Sequence, residues 1–475
     1  MRWCGKNWSG GVAKVLLFDS PSWTLFSPQM HLHLGIFSLA ASLRLAGHDV
    51  RVLDCHKLTS WDATNGWLVI HREAQEDCDV LGISATTGNV HWGMELAESW
   101  PARFKILGGP HVTHILKGSR SKFWSREYFC GFNFVMAGEA EESLVAFCNA
   151  IDRGDDPRQA GIPGLAWWDG GVIHIMPQPR LPDVTRLPPP AFDLWGSEFA
   201  KGTLSVNSIQ GRELDASRLL NAPISAARGC PYSCAFCAAA RAKLRETTLI
   251  QVEVEARNLV ELGVGTVHIR DETFTVRAER VRKIADILHA HGLLWRACTR
   301  SDLRNRELFE YIAKRGCGEL GFGVEHASAR MLKLMNKGIT PEANEDGIKM
   351  CQDSGMAARA FLMVGFPGET LDTIEELRGW VLRIRPDMVA LSVFQPYPGS
   401  DVWEHPERYG VELPSAPFEY FWQQGLDNSE DRFVLNLAGI SKRDLFLAYK
   451  ELAYDFEEHI GHRDRTRLQE KQGGT

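Results

Sequence analysis

The chain lacks the features that would fix it in a membrane or on nucleic acid. No stretch approaches the ~20 uninterrupted apolar residues needed to cross a bilayer. The N-terminus, MRWCGKNWSGG, has no apolar core of signal-peptide length, and the most apolar helical pattern is interrupted by Arg44. No strongly basic run occurs outside the short segment 463–471, which reads as a solvated tail, and the net charge is −7. That balance argues against nucleic acid as an obligate partner. No internal repeat is visible. The 11 cysteines have irregular spacings, which speaks against a disulfide framework and for a reducing compartment. A cytoplasmic protein without an integral membrane segment is therefore expected. At 475 residues, 44% hydrophobic and 24% charged, the chain has room for two or three domains.

What the chain does have is a cluster of three cysteines. Residues 227–238 read ARGCPYSCAFCA and place Cys230, Cys234 and Cys237 in a C-x3-C-x2-C spacing, with Phe236 just before the last. Three thiolates on one loop can converge on a soft-metal centre, where iron–sulfur clusters, zinc and copper all compete. Structural zinc wants four ligands closed tetrahedrally, but the next cysteine, Cys298, is far downstream and has no C-x2-C partner. Iron–sulfur clusters are also usually held by four cysteines. A 4Fe-4S cluster on three thiolates keeps one iron open, which is a catalytic arrangement.

This motif, down to the aromatic before its third cysteine, resembles the signature of the radical S-adenosylmethionine (SAM) enzymes. The resemblance implies a 4Fe-4S cluster on Cys230, Cys234 and Cys237, with SAM chelated to the open iron. The reduced cluster then cleaves SAM to a 5′-deoxyadenosyl radical, drawing its electron from a flavodoxin- or ferredoxin-type donor. No cysteine follows Cys351, so no C-terminal auxiliary iron–sulfur domain is expected.

Upstream, the sequence alternates strand-like and helix-like segments. Strands are expected at 15–18, 50–53, 80–84, 105–107 and 132–136, with helices at 35–45, stopped by Gly47, and at 141–151. Such alternation implies a doubly wound, flavodoxin-like parallel sheet, which binds ligands outside the carboxyl ends of its strands. The loops to watch hold Ser20; Ser84, Thr86 and Thr87; Gly108, Gly109 and His111; and Gly138 and Glu139. Small and hydroxylated residues there let a bulky ligand approach the backbone, although glycine pairs also serve plain tight turns.

Placed before the cysteine motif, region 14–151 resembles the cobalamin-binding domain of cobalamin-dependent radical SAM enzymes. The matching stretches are LGIFSLAASLRLAGHDVRVLD, DVLGISATT, GGPHVT and GEAEESL. The resemblance makes the loop residues above cobalamin-binding candidates. Cobalamin mutases and methionine synthase carry D-x-H-x-x-G after the first strand, but the sequence here is Asp19-Ser20-Pro21-Ser22. Asp54-Cys55-His56 follows the second strand and has Thr59 where glycine is needed, so it is read as a decoy. Cobalamin without a histidine from this chain below the metal is expected. His31 and His33 are read as surface residues.

Segment 161–190 carries a hairpin signal at Asp169-Gly170-Gly171 and ends in Pro188-Pro189-Pro190, a stiff connector. Beyond it, strands are expected at 224–226, 266–269, 294–299, 320–324, 358–364 and 388–394, giving a partial (β/α)6 barrel with its site at the strands' carboxyl ends. The polar residues there are Asp271 and Glu272 (RDETFT), Arg300, Glu325 (GFGVEHAS) and Gly365 (GFPGET). By resemblance these, with Phe236, contact SAM, the acidic pair standing where other family members have G-G-E.

The expected organisation is a cobalamin-binding domain at 1–160, hairpin and linker at 161–221, radical SAM barrel at 222–403, and a small, mostly helical C-terminal region at 404–475, with one clear helix at 442–459. The aromatic stretch 418–422 is expected to be core or lid packing. The expected activity is methylation of an unactivated carbon of a small-molecule or peptide substrate, by way of a deoxyadenosyl radical and methylcobalamin. The alternative is a non-methylating oxidation, cyclisation or rearrangement with the same cofactors.

Overall fold

The computed structural model describes residues 11–20, 33–53, 59–62, 67–70, 77–118, 131–195, 208–209, 212–213, 220–413 and 439–460. His31, the 54–56 decoy, the 418–422 stretch and the 463–471 tail lie outside them. The chain divides into two compact units. The first comprises Met1–Glu198 with Tyr397–Gly399 and Ser415–Trp422; the second comprises Phe199–Pro396, Ser400–Pro414 and Gln423–Thr475.

The first unit is built on β1 (Lys14–Asp19), β2 (Asp49–Val52), β3 (Val80–Ser84), β4 (Phe104–Gly108) and β5 (Phe134–Met136). Its sheet order is β2-β1-β3-β4-β5, all parallel. Strand β1 reads KVLLFD with its four apolar residues buried, the near-continuous hydrophobic run of a strand covered on both faces. Helices α1 (Leu34–Leu45), α2 (Val90–Ser99), α3 (Pro110–Lys117) and α4 (Glu141–Asp152) intervene. Helix α1 stops because Gly47 takes φ +92°, letting Gly47 N–H reach Arg44 O at 3.0 Å and His48 N–H reach Leu43 O at 3.1 Å. That pair of bonds is a Schellman motif.

The sheet is not purely parallel. The hairpin expected at Asp169-Gly170-Gly171 forms from β6 (Leu165–Asp169) and β7 (Val172–Ile175), and β6 pairs antiparallel with β5, extending the sheet to seven strands. Gly170 and Gly171 both take positive φ, +57° and +88°, as a two-residue type I′ turn requires. What reads as linker is thus in part the antiparallel edge of the first sheet. Fold order 2-1-3-4-5 puts the topological switch point between β1 and β3.

The second unit is an open barrel of six parallel strands in sequential order: β8 (Leu220–Ile224), β9 (Val264–Ile269), β10 (Leu294–Thr299), β11 (Cys317–Glu325), β12 (Ala357–Val364) and β13 (Met388–Val393). The outer layer holds α5 (Leu249–Glu261), α6 (Ala278–Ala290), α7 (Arg306–Ala313), α8 (Ala329–Leu334), α9 (Pro341–Asp353) and α10 (Leu371–Ile384). Strand β8 begins and ends earlier than the expected 224–226 and contains Pro223, which is tolerated because β8 is an edge strand paired only with β9. The expected C-terminal helix forms as α11 (Lys442–Ile460) and buries Leu445, Tyr449, Leu452 and Phe456 along one stripe, with an Arg378–Asp455 ion pair to α10. Since Leu452 is 1% exposed, Leu452→Ala should cost about 2–4 kcal/mol, read as a lowered denaturant midpoint.

Candidate active site

The cysteine loop leaves β8 and is held from three sides. A two-residue ladder pairs Ala227–Arg228 with Arg245–Glu246, so the loop starts and closes on itself. Gly229 N–H donates to Glu272 Oε2 at 3.0 Å. On the far side, Ala235 N–H donates to Met335 O at 2.8 Å, and Asn336 Nδ2 donates to Ser233 O at 2.8 Å. Cys230, Cys234 and Cys237 are free thiols at a buried to half-buried depth. Burial pushes the Cys237 thiol up to about 11, while the raised Cys234 thiol is pulled back by Lys337 and Arg300.

Arg300, just past β10, is the anchor of this loop. Its guanidinium stacks 3.8 Å over the Tyr232 ring, pairs with Asp302 through Nε (3.0 Å) and Nη2 (3.1 Å), donates to Lys337 O at 2.8 Å, and brings Nη1 to 3.9 Å from Cys234 Sγ. Glu325, ending β11, pairs with Lys337 Nζ at 2.9 Å, and that ammonium lies 5.7 Å over the Phe236 ring. Glu325 holds φ +62°, a conformation that strains a non-glycine residue. Gly323 makes room: a Cβ there would sit 2.7 Å from both Glu325 Oε1 and Lys337 Nζ. Gly365, at φ +85°, donates its N–H to Glu369, whose other oxygen faces His326 Nε2 at 2.8 Å. Ser328 N–H donates to His326 Nδ1 at 2.9 Å, so the proton of this fully buried imidazole sits on Nε2 and points at Glu369.

The acidic pair divides. Glu272 is exposed and tied to the loop, whereas Asp271 is buried beneath it, accepting from Ala226 N–H at 2.8 Å and Ala227 N–H at 2.9 Å. Burial pushes Asp271 up to about 7, and the burial of Glu255 on α5, with Asp271 nearby, pushes that carboxyl up to about 8. Asp271 therefore fixes the strand-to-loop corner from within.

In the first unit the sequence-singled loops meet at the switch point. Ser20 N–H donates to Ser84 O at 2.8 Å. Asn89 is the hub: its Nδ2 donates to Ser20 O at 2.9 Å and its Oδ1 accepts from Thr86 N–H at 2.7 Å and Thr86 Oγ1 at 2.9 Å. Gly109 takes φ +102°, and a Cβ there would lie 2.5 Å from Ala85 O, which no other residue tolerates. His111 is 1% exposed, bonded to Thr87 Oγ1 at 3.2 Å, and lowered to about 3 by burial. It props the loop from below. Gly138 N–H donates to Thr113 Oγ1 at 2.9 Å, and Thr86, Gly108, Gly138 and Glu139 keep partial access. His33 has Nδ1 3.9 Å from Asp19 Oδ1.

Sequence reasoning missed Asn89, Tyr232, Lys337, His326 and Glu369. Tyr232, His326 and Glu369 lie inside the quoted stretches ARGCPYSCAFCA, GFGVEHAS and GFPGET, whereas Asn89 and Lys337 become visible only when distant segments meet.

Among the described residues, no group of three or more His, Cys, Asp or Glu side chains is placed to hold a single metal ion.

Residues 224–381 match the family model of the radical SAM superfamily. Among particular relatives, an uncharacterised methyltransferase of Pyrococcus horikoshii is 27% identical over 385 residues, covering 78% of both chains. The anaerobic magnesium-protoporphyrin IX monomethyl ester cyclase of Cereibacter sphaeroides is 24% identical over 84% of this chain, which spans 62% of that relative. The fold is that of the radical SAM methyltransferase TsrM from Kitasatospora setae, solved with cobalamin and a [4Fe-4S] cluster: TM-score 0.63, 19% identity, covering 85% of this chain and 76% of that one. No helix among the described residues is long and apolar enough to cross a membrane.

The buried carboxyl of Glu255 sets a pH dependence of stability. Its folded pKa lies above the ordinary carboxylate value, so the folded state holds more protons in the window between them. Stability is full below the ordinary value and is lost as pH rises toward about 8. Glu255→Gln should flatten that decline, measured as urea midpoints between acid and mildly alkaline pH.

Proposed function

We propose that this chain is a cobalamin-dependent radical SAM methyltransferase acting on an unactivated carbon. The observation that carries it is the cysteine loop with Arg300, Tyr232 and Lys337 packed around three free thiols, in a radical SAM domain that follows a flavodoxin-like unit. Cys230, Cys234 and Cys237 would hold a 4Fe-4S cluster; the other described barrel cysteines lie elsewhere, Cys298 Sγ 4.0 Å from His268 Nε2 and Cys317 and Cys351 buried. When bound, the cofactors would supply reductive cleavage of SAM and a cobalt-carried methyl group.

The chain's own residues bind and orient. SAM presents an ammonium and a carboxylate, and the barrel offers both signs of charge at its carboxyl end in Glu272, Glu325, Lys337 and Arg300. Gly365 and Phe236 offer backbone and ring faces. In the first unit, Ser20, Ser84, Thr86, Thr87, Gly108, Gly109, His111, Gly138 and Glu139 form the proposed cobalamin-binding loops. The hydroxyls of Ser20 and Thr86 are bonded to Asn89 and that of Thr87 to His111, so Asn89 and His111 fix the loops and the partly exposed Gly108, Gly109 and Gly138 offer surface to the cofactor. A flavodoxin- or ferredoxin-type donor would reduce the cluster. The cyclase relative favours a second reading, non-methylating chemistry with the same cofactors.

Anaerobic reconstitution with iron, sulfide and hydroxocobalamin should load one 4Fe-4S cluster and one cobalt per chain. Cys234→Ala should abolish the visible cluster absorbance and 5′-deoxyadenosine formation while keeping the folded circular dichroism. Methyl label appearing in product distinguishes methylation from the second reading, in which deoxyadenosine forms without labelled product. Cluster without cobalt would sink the cobalamin assignment. Gly323→Ala should leave the cluster intact and weaken SAM binding about tenfold, because its methyl group displaces the Glu325–Lys337 pair; unchanged binding would remove that pair from the site.

A further inference from the structure

Below the cysteine loop, the described residues of the barrel's inner face bring three arginines, Arg270, Arg296 and Arg359, close to one carboxylate and one imidazole. Arg296 and Arg359 both reach one carboxylate, Glu319, and Arg270 stands beside Arg296 across the His268 ring. Arg359 Nε donates to Glu319 Oε1 at 2.8 Å, and Arg296 Nη1 lies 3.6 Å from the same oxygen. Arg270 Nη1 and Arg296 Nη2 both face His268 Nδ1, at 3.2 and 3.4 Å. Arg270 has no carboxylate within ion-pair distance among the described residues and stays open to solvent inside the barrel. The Nε of Arg296 and the Oε2 of Glu319 are buried without hydrogen-bond partners. Neighbouring guanidiniums repel, and enclosing charge without neutralising it is costly. Such a cluster persists where an anion completes it, and the planar guanidinium fork matches an oxyanion's geometry.

The position is informative as well. Residues 296, 298 and 300 alternate to one face of β10, and Ile269 pairs with Ala297 in register, so Arg270 stands level with Cys298. It therefore lies about 7 Å, one two-residue strand step, below Arg300, which packs on Cys234. Gly321 lets the Phe361 ring pack close to the strand: a Cβ there would meet that ring at 2.6 Å and Cys298 Sγ at 3.4 Å.

We propose that Arg270, with Arg296, binds an oxyanion of the substrate, a carboxylate or a phosphate, leaving the remainder directed toward the cysteine loop. This rests on the radical SAM reading for its orientation, but the anion site itself does not need the cluster.

The test uses cluster-reconstituted full-length protein at fixed ionic strength, with glutarate, inorganic phosphate and neutral glutaramide as probes. Thermal midpoints are followed across a concentration series. Glutarate or phosphate, but not glutaramide, should raise the wild-type midpoint by a few degrees. Glutarate alone identifies a carboxylate, phosphate alone a phosphate. Arg270→Gln should weaken the response at least tenfold, Arg270→Lys should keep part of it, and Arg257→Gln, on the exposed face of α5, should keep it all. No response in wild type, equal responses in wild type and Arg270→Gln, or abolition by SAM alone would overturn the proposal; the last would give the guanidiniums to the cosubstrate. Cys234→Ala separates the two readings. Loss of cluster absorbance with the anion response retained supports both, whereas retained absorbance sinks the radical SAM assignment and leaves the anion site standing.

Discussion

An irregular loop carrying three thiols cannot hold its own shape, and the Arg300 guanidinium is what ties it to the barrel. The side chain leaves the end of β10, where strand register fixes its position, and reaches Asp302, the Lys337 carbonyl, the Tyr232 ring and Cys234 together. A guanidinium can do this because its five donors lie in one plane whose face remains free to stack. Lysine would keep the charge and lose the geometry. The segment 335–337 closes the other side, with Met335 O and the Asn336 amide on the loop backbone and Lys337 bridging to Glu325. Asn336 adopts φ +51° to present both, and the strain is confined to a residue type that tolerates it. The cysteine positions therefore inherit the rigidity of β10 and β11 rather than that of their own backbone.

The parts legible in the sequence are those set by local pattern. Apolar runs such as VLLF and alternation into helical spacing located the strands of both sheets, and the cysteine spacing located the loop. Gly47 and the Gly170-Gly171 turn were readable because positive φ has a strong residue preference. Which sheet a hairpin joins is a different matter. The pairing of β6 with β5 depends on an edge becoming free, and nothing within residues 165–175 encodes that. The same holds for the site. Asp271 and Glu272 are adjacent in sequence and chemically alike, yet one is buried under Ala226 and Ala227 and the other is exposed, because the chain turns between them. Asn89 and Tyr232 have no spacing signature; their partners come from other strands or from a strand end far along the chain.

The two units solve loop fixation by different electrostatics. At the switch point of the first, the bonds among Ser20, Thr86 and Asn89 are between neutral groups, and His111 is kept uncharged by burial. Neutral bonds leave the cleft without a strong field of either sign, which suits a large cofactor held mainly by shape and backbone. In the barrel the fixing groups are ions: Arg300 with Asp302 and Lys337 with Glu325. Ion pairs at low exposure are costly to break singly, so each loop is locked. They also leave polar edges of both signs facing one region, as a zwitterionic cosubstrate requires.

Charge also explains the glycines along β11. Gly321 and Gly323 share the inward face with Glu319 and Glu325, which gives that strand two bare steps between two acids. A side chain at 321 would displace Phe361, and one at 323 would part Glu325 from Lys337. A strand interior normally loses stability with glycine, having nothing to pack and more chain entropy to surrender. Two on one face of a central strand are explained by what packs against them, the Phe361 ring at 321 and the Glu325–Lys337 pair at 323.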